Sequence, residues 1–435
     1  TSAPKQFKSM VKKNKKVSDE YKYAYVNMDW WSGFNDPILS GYINQAVRNN
    51  YDLKMATLNV EEYYQNVKLQ FANELPMAGV GASPALTKMP GKTNTNMFFV
   101  APAFVNYELD IFLKNHDKTK SVKKLYEGSK LDGRAAYIAI ASSVGTVYLN
   151  IVKLDKTIEL QEEIVAARQN IYDLMVLSNR EGLTSTADTV KANKALVKGQ
   201  TDLIELKKQR ETLLHQFCVL IGESPENAAE IKRASLDSLK FDREIPEAIS
   251  SDIIVQRPDY LKAELMVEKA GIDVRVAKKE FLPSINLTGL AFFNAGDIGS
   301  LFTTKNMLMS LAGGAFLPLF TGGARIASLR LKKATYERIL QDYHKTNLTA
   351  IQEVNDALVV SKMDKTKMEQ TLKQANLEKA DFSYNEDKFN QGTISKLDLL
   401  QFKENLLAID QLVAQQKVEC MVNSVGLYKA TASKI

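Results

Sequence analysis

Two stretches of this chain, 115 to 181 and 324 to 391, each run for about 65 residues with no proline and with apolar and charged residues in helical rotation. Proline breaks a helix interior, so its absence leaves nothing to interrupt either run. At a rise of 1.5 Å per residue, such a helix spans about 100 Å. That exceeds any compact domain, and uncapped helices of this length belong to coiled coils or tubes.

The two runs belong to a longer repetition. "EGLTSTADTVKANKAL" from Glu181 matches "QGTISKLDLLQFKENL" from Gln391 under a shift of 210, pairing Gly182 with Gly392, Ser185 with Ser395 and Asp188 with Asp398. "NYDLKMATLNVEE" from Asn50 matches "PDYLKAELMVEK" from Pro258 under a shift of 207. The 435 residues thus read as two halves with one element order. Each half begins with an amphipathic helix, 37 to 73 and 258 to 281. Strands follow at 76 to 88 and 96 to 112, then at 283 to 294 and 306 to 320. Ile285, Leu287, Ala291 and Phe293 alternate with Ser284, Asn286 and Thr288, the period of a strand.

Each long helix ends at the copied motif. Glycine suits the left-handed residue beyond a helix, serine the N-cap of the next helix, and aspartate three later completes a capping box. Beyond the motif, Ala192, Leu196, Gly199, Leu203 and Leu206 step by four and three, as do Leu399, Phe402, Leu406, Ile409 and Val413. An average of 3.5 is the coiled-coil period, so each half carries an antiparallel helical hairpin packed along a seam.

Four strands cannot close a barrel, since the smallest membrane barrels use about eight. Pairing between three chains supplies twelve and removes every open edge. The alternative is a small soluble sandwich on a helical stalk. Lys+Arg exceeds Asp+Glu by six, with no basic aromatic tract, which speaks against nucleic acid. His116, His215 and His344 are scattered, and no nucleophile or nucleotide motif is present, so neither catalysis nor a metal or other cofactor is expected. Cys218 and Cys420 lie in helical apolar patterns as packing residues. No stretch approaches 18 consecutive apolar residues, which argues against a transmembrane helix. Thr1 opens a polar, lysine-rich segment rather than a signal peptide, the expectation for a mature exported chain, with any lipidated cysteine lying upstream.

Seven segments in order resemble the outer-membrane efflux protein family, the TolC-like and OprM-like channels. They are "WWSGFNDPILSGYINQAVRNNYDLKMA" from Trp30, "YELDIF" from Tyr107, "QRPDYLKAE" from Gln256, "FLPSINLTG" from Phe281, "LPLFTGGARIASL" from Leu317, "FNQGTISKLDLL" from Phe389 and "VGLYKA" from Val425. The resemblance implies a mainly α fold with a β-barrel part. It implies two repeats, each a β-hairpin plus a long coiled-coil hairpin, in a homotrimer whose twelve-stranded membrane barrel continues into a periplasmic α-barrel. It also implies a passive exit duct in outer-membrane lipid, served by a periplasmic adaptor (membrane fusion) protein and an inner-membrane pump, exporting drugs or other small toxic compounds.

Two features depart from the family. The glycine-rich "GGGW" after "LYKA" is absent. TolC-like members narrow the periplasmic mouth with two aspartates three apart; Asp398 matches the first, but Gln401 stands at the second. Asp398 and Gln401 are the candidate gate. Gly182, Thr184, Ser185, Asp188, Gly392, Thr393, Ile394, Ser395 and Lys396 are the candidate tip and adaptor-docking residues. The expected divisions are an extended segment at 1–36, repeat 1 at 37–222, a connecting equatorial segment at 223–257 and repeat 2 at 258–435. A duct for type I protein secretion and a soluble coiled-coil scaffold stand as the rival functions.

Overall fold

The computed structural model describes residues 30–88, 90–91, 95–240, 249 and 251–431. Most of the extended segment expected at 1–36 lies outside the described residues; Trp30–Phe34 form a short 3-10 helix. The helices are α1 (Pro37–Asn49), α2 (Tyr51–Ala72), α3 (Lys114–Arg180), α4 (Thr186–Ile221), α5 (Pro258–Lys279), α6 (Ala324–Asn390) and α7 (Lys396–Thr431). The strands are β1 (Met77–Val80), β2 (Ser83–Lys88), β3 (Thr95–Leu109), β4 (Ser284–Ala295) and β5 (Met307–Phe316). Both long helices have 67 residues, and both helices that follow them have 36.

The single helix expected over 37 to 73 is two helices. Asn50 breaks it: the Leu53 N–H donates to its Oδ1 at 3.1 Å, while its Nδ2 donates to the Leu220 carbonyl at 2.9 Å. A side chain that caps α2 and reaches back to α4 holds the bend from both sides.

Contacts divide the chain into two compact units. The first comprises Thr1–Ala56, Gly133–Tyr260 and Asn347–Ile435. Its core gathers Trp30, Trp31 and Phe34, the inner face of α1, residues 140–152 of α3, the end of α4 and one side of α7. Asp36 is buried there, capping α1 through Ile38 N and Leu39 N, and its other oxygen accepts the Tyr148 hydroxyl at 2.6 Å. Burial, then this carboxylate, pushes the Tyr148 phenol far above its ordinary pKa, so it stays a donor at every working pH. Gly145 lies under the Trp30 indole, and a Cβ there would overlap the ring. Arg257 is also buried, donating to the Ala430 carbonyl at 2.7 Å and to the carboxylates of Asp259 and Glu353.

By length and composition alone α3 is long and apolar enough to cross a membrane. The run between Arg134 and Lys153 carries no charge, yet serine, threonine and glycine interrupt it. In that apolar window 56% of residues are buried inside the protein, where they build the core just described.

The second unit comprises Thr57–Asp132 and Leu261–Thr346 and holds the sheet. The order is β1/β2, β3, β4, β5, all antiparallel. β1 and β2 keep one register along β3 and are parted opposite Pro102, which has no N–H to donate. Asp110 then caps the start of α3, accepting from Asn115 N and His116 N. Burial raises the pKa of Asp117 one turn later, but hydrogen bonds from Arg275 and Lys279 outweigh it and hold the carboxyl low.

Candidate functional site

The two copied motifs form the two helix reversals. Gly182 and Gly392 have φ of 74° and 75°. Each is followed by the paired bonds of a Schellman turn: Leu183 N to Ser178 O and Gly182 N to Asn179 O, then Thr393 N to Lys388 O and Gly392 N to Phe389 O. Ser185 Oγ accepts from Asp188 N at 3.1 Å, and Asp188 Oδ2 accepts from Ser185 N at 3.3 Å. Ser395 and Asp398 repeat this at 3.1 and 3.0 Å. The reciprocal cap expected from sequence is present twice.

Bonds from Ser185 hold the Asp188 carboxyl below its ordinary pKa, and those from Ser395 do the same for Asp398. A lowered carboxyl pKa means that this contribution is complete above the unfolded value of about 4 and is lost as pH falls through the folded one. Asp188 is exposed and Asp398 half-buried, with Gln401 exposed three residues on. Thr184 and Ile394 are half-buried; Thr393 and Lys396 are exposed. The Thr393 hydroxyl donates to Lys388 O, whereas Thr184 Oγ1 is buried without a partner.

Side-chain bonds order four helix segments of the first unit. Gln161 and Arg168 of α3 donate to the Gly199 and Ala195 carbonyls of α4. Arg168 also pairs with Glu404 of α7 at 2.8 Å, and Gln411 reaches Gln161 at 3.0 Å. Lys367 of α6 pairs with Glu419 of α7 at 3.0 Å. The lateral order is therefore α4, α3, α7, α6. α7 thus lies between two neighbours: of the expected second seam Ile409 is buried and Leu399, Phe402, Leu406 and Val413 are half-buried, and burial extends to Leu407, Ala414, Val418 and Met421. In the first seam Ala192, Leu196 and Gly199 are buried, Leu203 and Leu206 half-buried.

The outer helices carry a feature that the sequence reading missed. Val190, Val197 and Ile204 of α4 recur every seven residues and are exposed. Met363, Leu377 and Tyr384 do the same on α6, with Gln370 filling the remaining seventh position. The heptad spacing was available in the sequence, but one seam per hairpin had absorbed it.

Register sorts the sheet into two faces. Residues directly opposite in an antiparallel pair share a face. One face therefore carries Val80 and Leu86; Phe99, Ala101, Ala103, Val105, Tyr107 and Leu109; Ile285, Leu287, Ala291 and Phe293; and Met307, Met309 and Leu311. Away from its end, where Lys88 pairs with Thr95, no charged residue interrupts it among the described residues. The other carries Asn106, Glu108, Ser284, Asn286, Thr288, Asn294 and Ser310 among its apolar residues. An apolar face opposed to a mixed polar one, with strand edges left open at β1/β2 and β5, is the pattern of a sheet between lipid and water.

The sequence model of the family described as "Outer membrane efflux protein" matches residues 42–223 and 249–433. The chain belongs to this family. As a family member it works in efflux transport and resides in the bacterial outer membrane, extending into the periplasm. Relatives include the probable efflux pump outer membrane protein TtgC of Pseudomonas putida, 28% identical over 94% of this chain and 85% of that protein. The cation efflux system protein CusC of Escherichia coli is 26% identical over 93% of this chain and 89% of its own length. Among solved structures, the Campylobacter jejuni CmeC outer membrane channel superposes with a TM-score of 0.85 at 23% identity, covering 94% of this chain and 88% of that one. The open-state Neisseria gonorrhoeae MtrE channel gives 0.81 at 22%, covering 91% and 89%. These relatives are channel proteins rather than enzymes, and none supports the soluble scaffold or the protein-secretion duct.

Proposed function

We propose that this efflux-family chain is the exit duct of a tripartite pump, a homotrimer that passes drugs or other small toxic compounds handed over by an inner-membrane pump and a periplasmic adaptor. Its protomer is a duplicated unit, repeat 1 at 37–222 and repeat 2 at 258–435, joined by the segment at 223–257. Three sheets form one twelve-stranded barrel, with the apolar face toward lipid and the mixed face toward the lumen.

The observation that carries this reading is the pair of exposed heptad stripes on the outer helices. Two unpartnered stripes at opposite edges of one layer suit a head-to-tail ring, α4 of one copy against α6 of the next. With both tips level, Val197 lies 11 residues into α4 and Leu377 lies 13 from the end of α6, heights that differ by about 3 Å. Exposed Lys191, Lys194 and Lys198 on one edge face Asp381, Glu386 and Asp387 on the other. Val197→Cys with Leu377→Cys should give an oxidised ladder ending at three copies on a denaturing gel. Monomer alone, with both single-cysteine controls folded, would sink the ring.

At the tips, Thr184, Ser185, Thr393, Ile394 and Lys396 are the adaptor contacts, and Asp398 with Gln401 narrows the mouth. Three Asp398 carboxylates near one axis repel one another and recruit cations. Asp398→Ala in planar bilayers should therefore raise conductance and weaken divalent-cation block; unchanged values would remove Asp398 from the gate.

A further inference from the structure

One segment of the second unit is exposed in a way that neither the barrel nor the hairpins use. Beyond β5 the chain runs through "LPLFTGGARIASLRLKKATYER", residues 317–338. Leu319 and Phe320 are 92% and 89% exposed, the most exposed large apolar side chains among the described residues. They follow in sequence on β5, whose apolar-face residues Met309 and Leu311 are also exposed. Gly322 and Gly323, both with positive φ, then turn the chain into α6.

The first turns of α6 are cationic. Arg325, Arg330, Lys332, Lys333 and Arg338 meet a single acid, Glu337, within the segment. None of the five forms an ion pair among the described residues, and Arg325 has only the Pro318 carbonyl, at 3.1 Å. Several neighbouring cations of this unit are matched, Lys118 with Glu280, Lys124 with Glu268, Lys262 with Asp132, Arg275 and Lys279 with Asp117, whereas Lys120, Lys123 and Lys278, which lie outside α6, stand without an ion pair among the described residues. Ile326, Arg330 and Lys333 stand on one exposed helix face, all within about 14 Å of the start of α6.

We propose that residues 317–333 are an anionic-phospholipid anchor, in which Leu319 and Phe320 enter the acyl layer and Arg330 and Lys333 bind headgroup phosphates. Apolar side chains next to a lipid-facing sheet, followed at once by unmatched cations, have the layering of an acyl boundary followed by an anionic surface. A protein partner would not need the two chemistries stacked in that order. The anchor rests on the outer-membrane duct reading.

The test uses the detergent-purified full chain, titrated with phosphatidylglycerol or phosphatidylethanolamine and read by native mass spectrometry. Phosphatidylglycerol should bind the more tightly, and Arg330→Glu with Lys333→Glu should weaken it by about 25-fold, about five-fold for each cation removed. Arg330→Lys with Lys333→Arg should keep it, as should Lys232→Glu, a charge reversal in the first unit. Conductance of each variant in phosphatidylethanolamine bilayers verifies folding. Equal affinity for the two lipids, or undiminished phosphatidylglycerol binding by the double reversal, overturns the anchor while leaving a conducting duct intact. Displacement of phosphatidylglycerol by inorganic phosphate alone also overturns the lipid assignment. A wild-type chain that forms no channels in either lipid overturns both readings.

Discussion

Asp36→Ala is expected to lower the unfolding free energy by about 3 kcal/mol. Two losses combine. The Asp36 carboxylate accepts from Ile38 N at 2.9 Å and Leu39 N at 3.3 Å, so removing it uncaps α1, a cost of about 1 kcal/mol. It also strands the Tyr148 hydroxyl hydrogen in a fully buried site, a further cost of about 1–3 kcal/mol. The phenol oxygen would still accept from Ala234 N at 3.0 Å, so the damage is to the donor alone. Tyr148→Phe makes a smaller loss by a different route, leaving the cap intact but Ala234 N and one Asp36 oxygen without their partner. Denaturant midpoints at constant slope, read by circular dichroism, should rank wild type above Tyr148→Phe and Tyr148→Phe above Asp36→Ala. Equal midpoints for all three would show that the buried triad contributes nothing net.

Leu311→Arg is expected to prevent stable membrane insertion, although Leu311 is 82% exposed in the protomer. Were that side chain in water, arginine there would cost almost nothing. On a lipid-facing strand near the middle of the bilayer it costs about 2–4 kcal/mol in each copy. Leu311 pairs with Gly289, which pairs with Val105, so it sits on the apolar face at mid-strand. Ala312 is its neighbour on the other face, opposite Thr288 and Asn106. Ala312→Arg should therefore insert and conduct, with altered ion selectivity from a charge in the lumen. The measurement is the fraction of each variant that folds into vesicles, together with single-channel selectivity. If the two arginines behave alike, the sidedness read from the register is wrong.

These predictions draw on different layers of information. The helix reversals were legible residue by residue, because Gly182, Ser185 and Asp188 act only on the backbone within six positions of themselves. Their geometry needs no partner from elsewhere in the chain. The long helices were legible for a similar reason, since absence of proline and a sustained period are local properties. The break at Asn50 was not, because the acceptor of its side chain, the Leu220 carbonyl, is 170 residues away. The second seam was read without Leu407, Ala414 and Val418 because a period shows that a helix has an apolar stripe, not how many neighbours it meets. α7 meets both α3 and α6, and Leu407 joins Leu160 and Ile164 in a cluster that the pattern of α7 alone cannot show.

The sequence by itself determined the element order, the long helices, the reversals that end them and the family, all of which depend on short-range backbone preference or on ordered motifs. Only the tertiary structure decided that β3 pairs with β4 across the two halves, that α4 and α6 are the outer helices, and that one sheet face is apolar along its middle. The physical reason is common to all three. Register, lateral order and sidedness are set by hydrogen bonds and packing between segments far apart in the chain, and a strand or helix read alone carries its own period without naming the partner against which that period is spent.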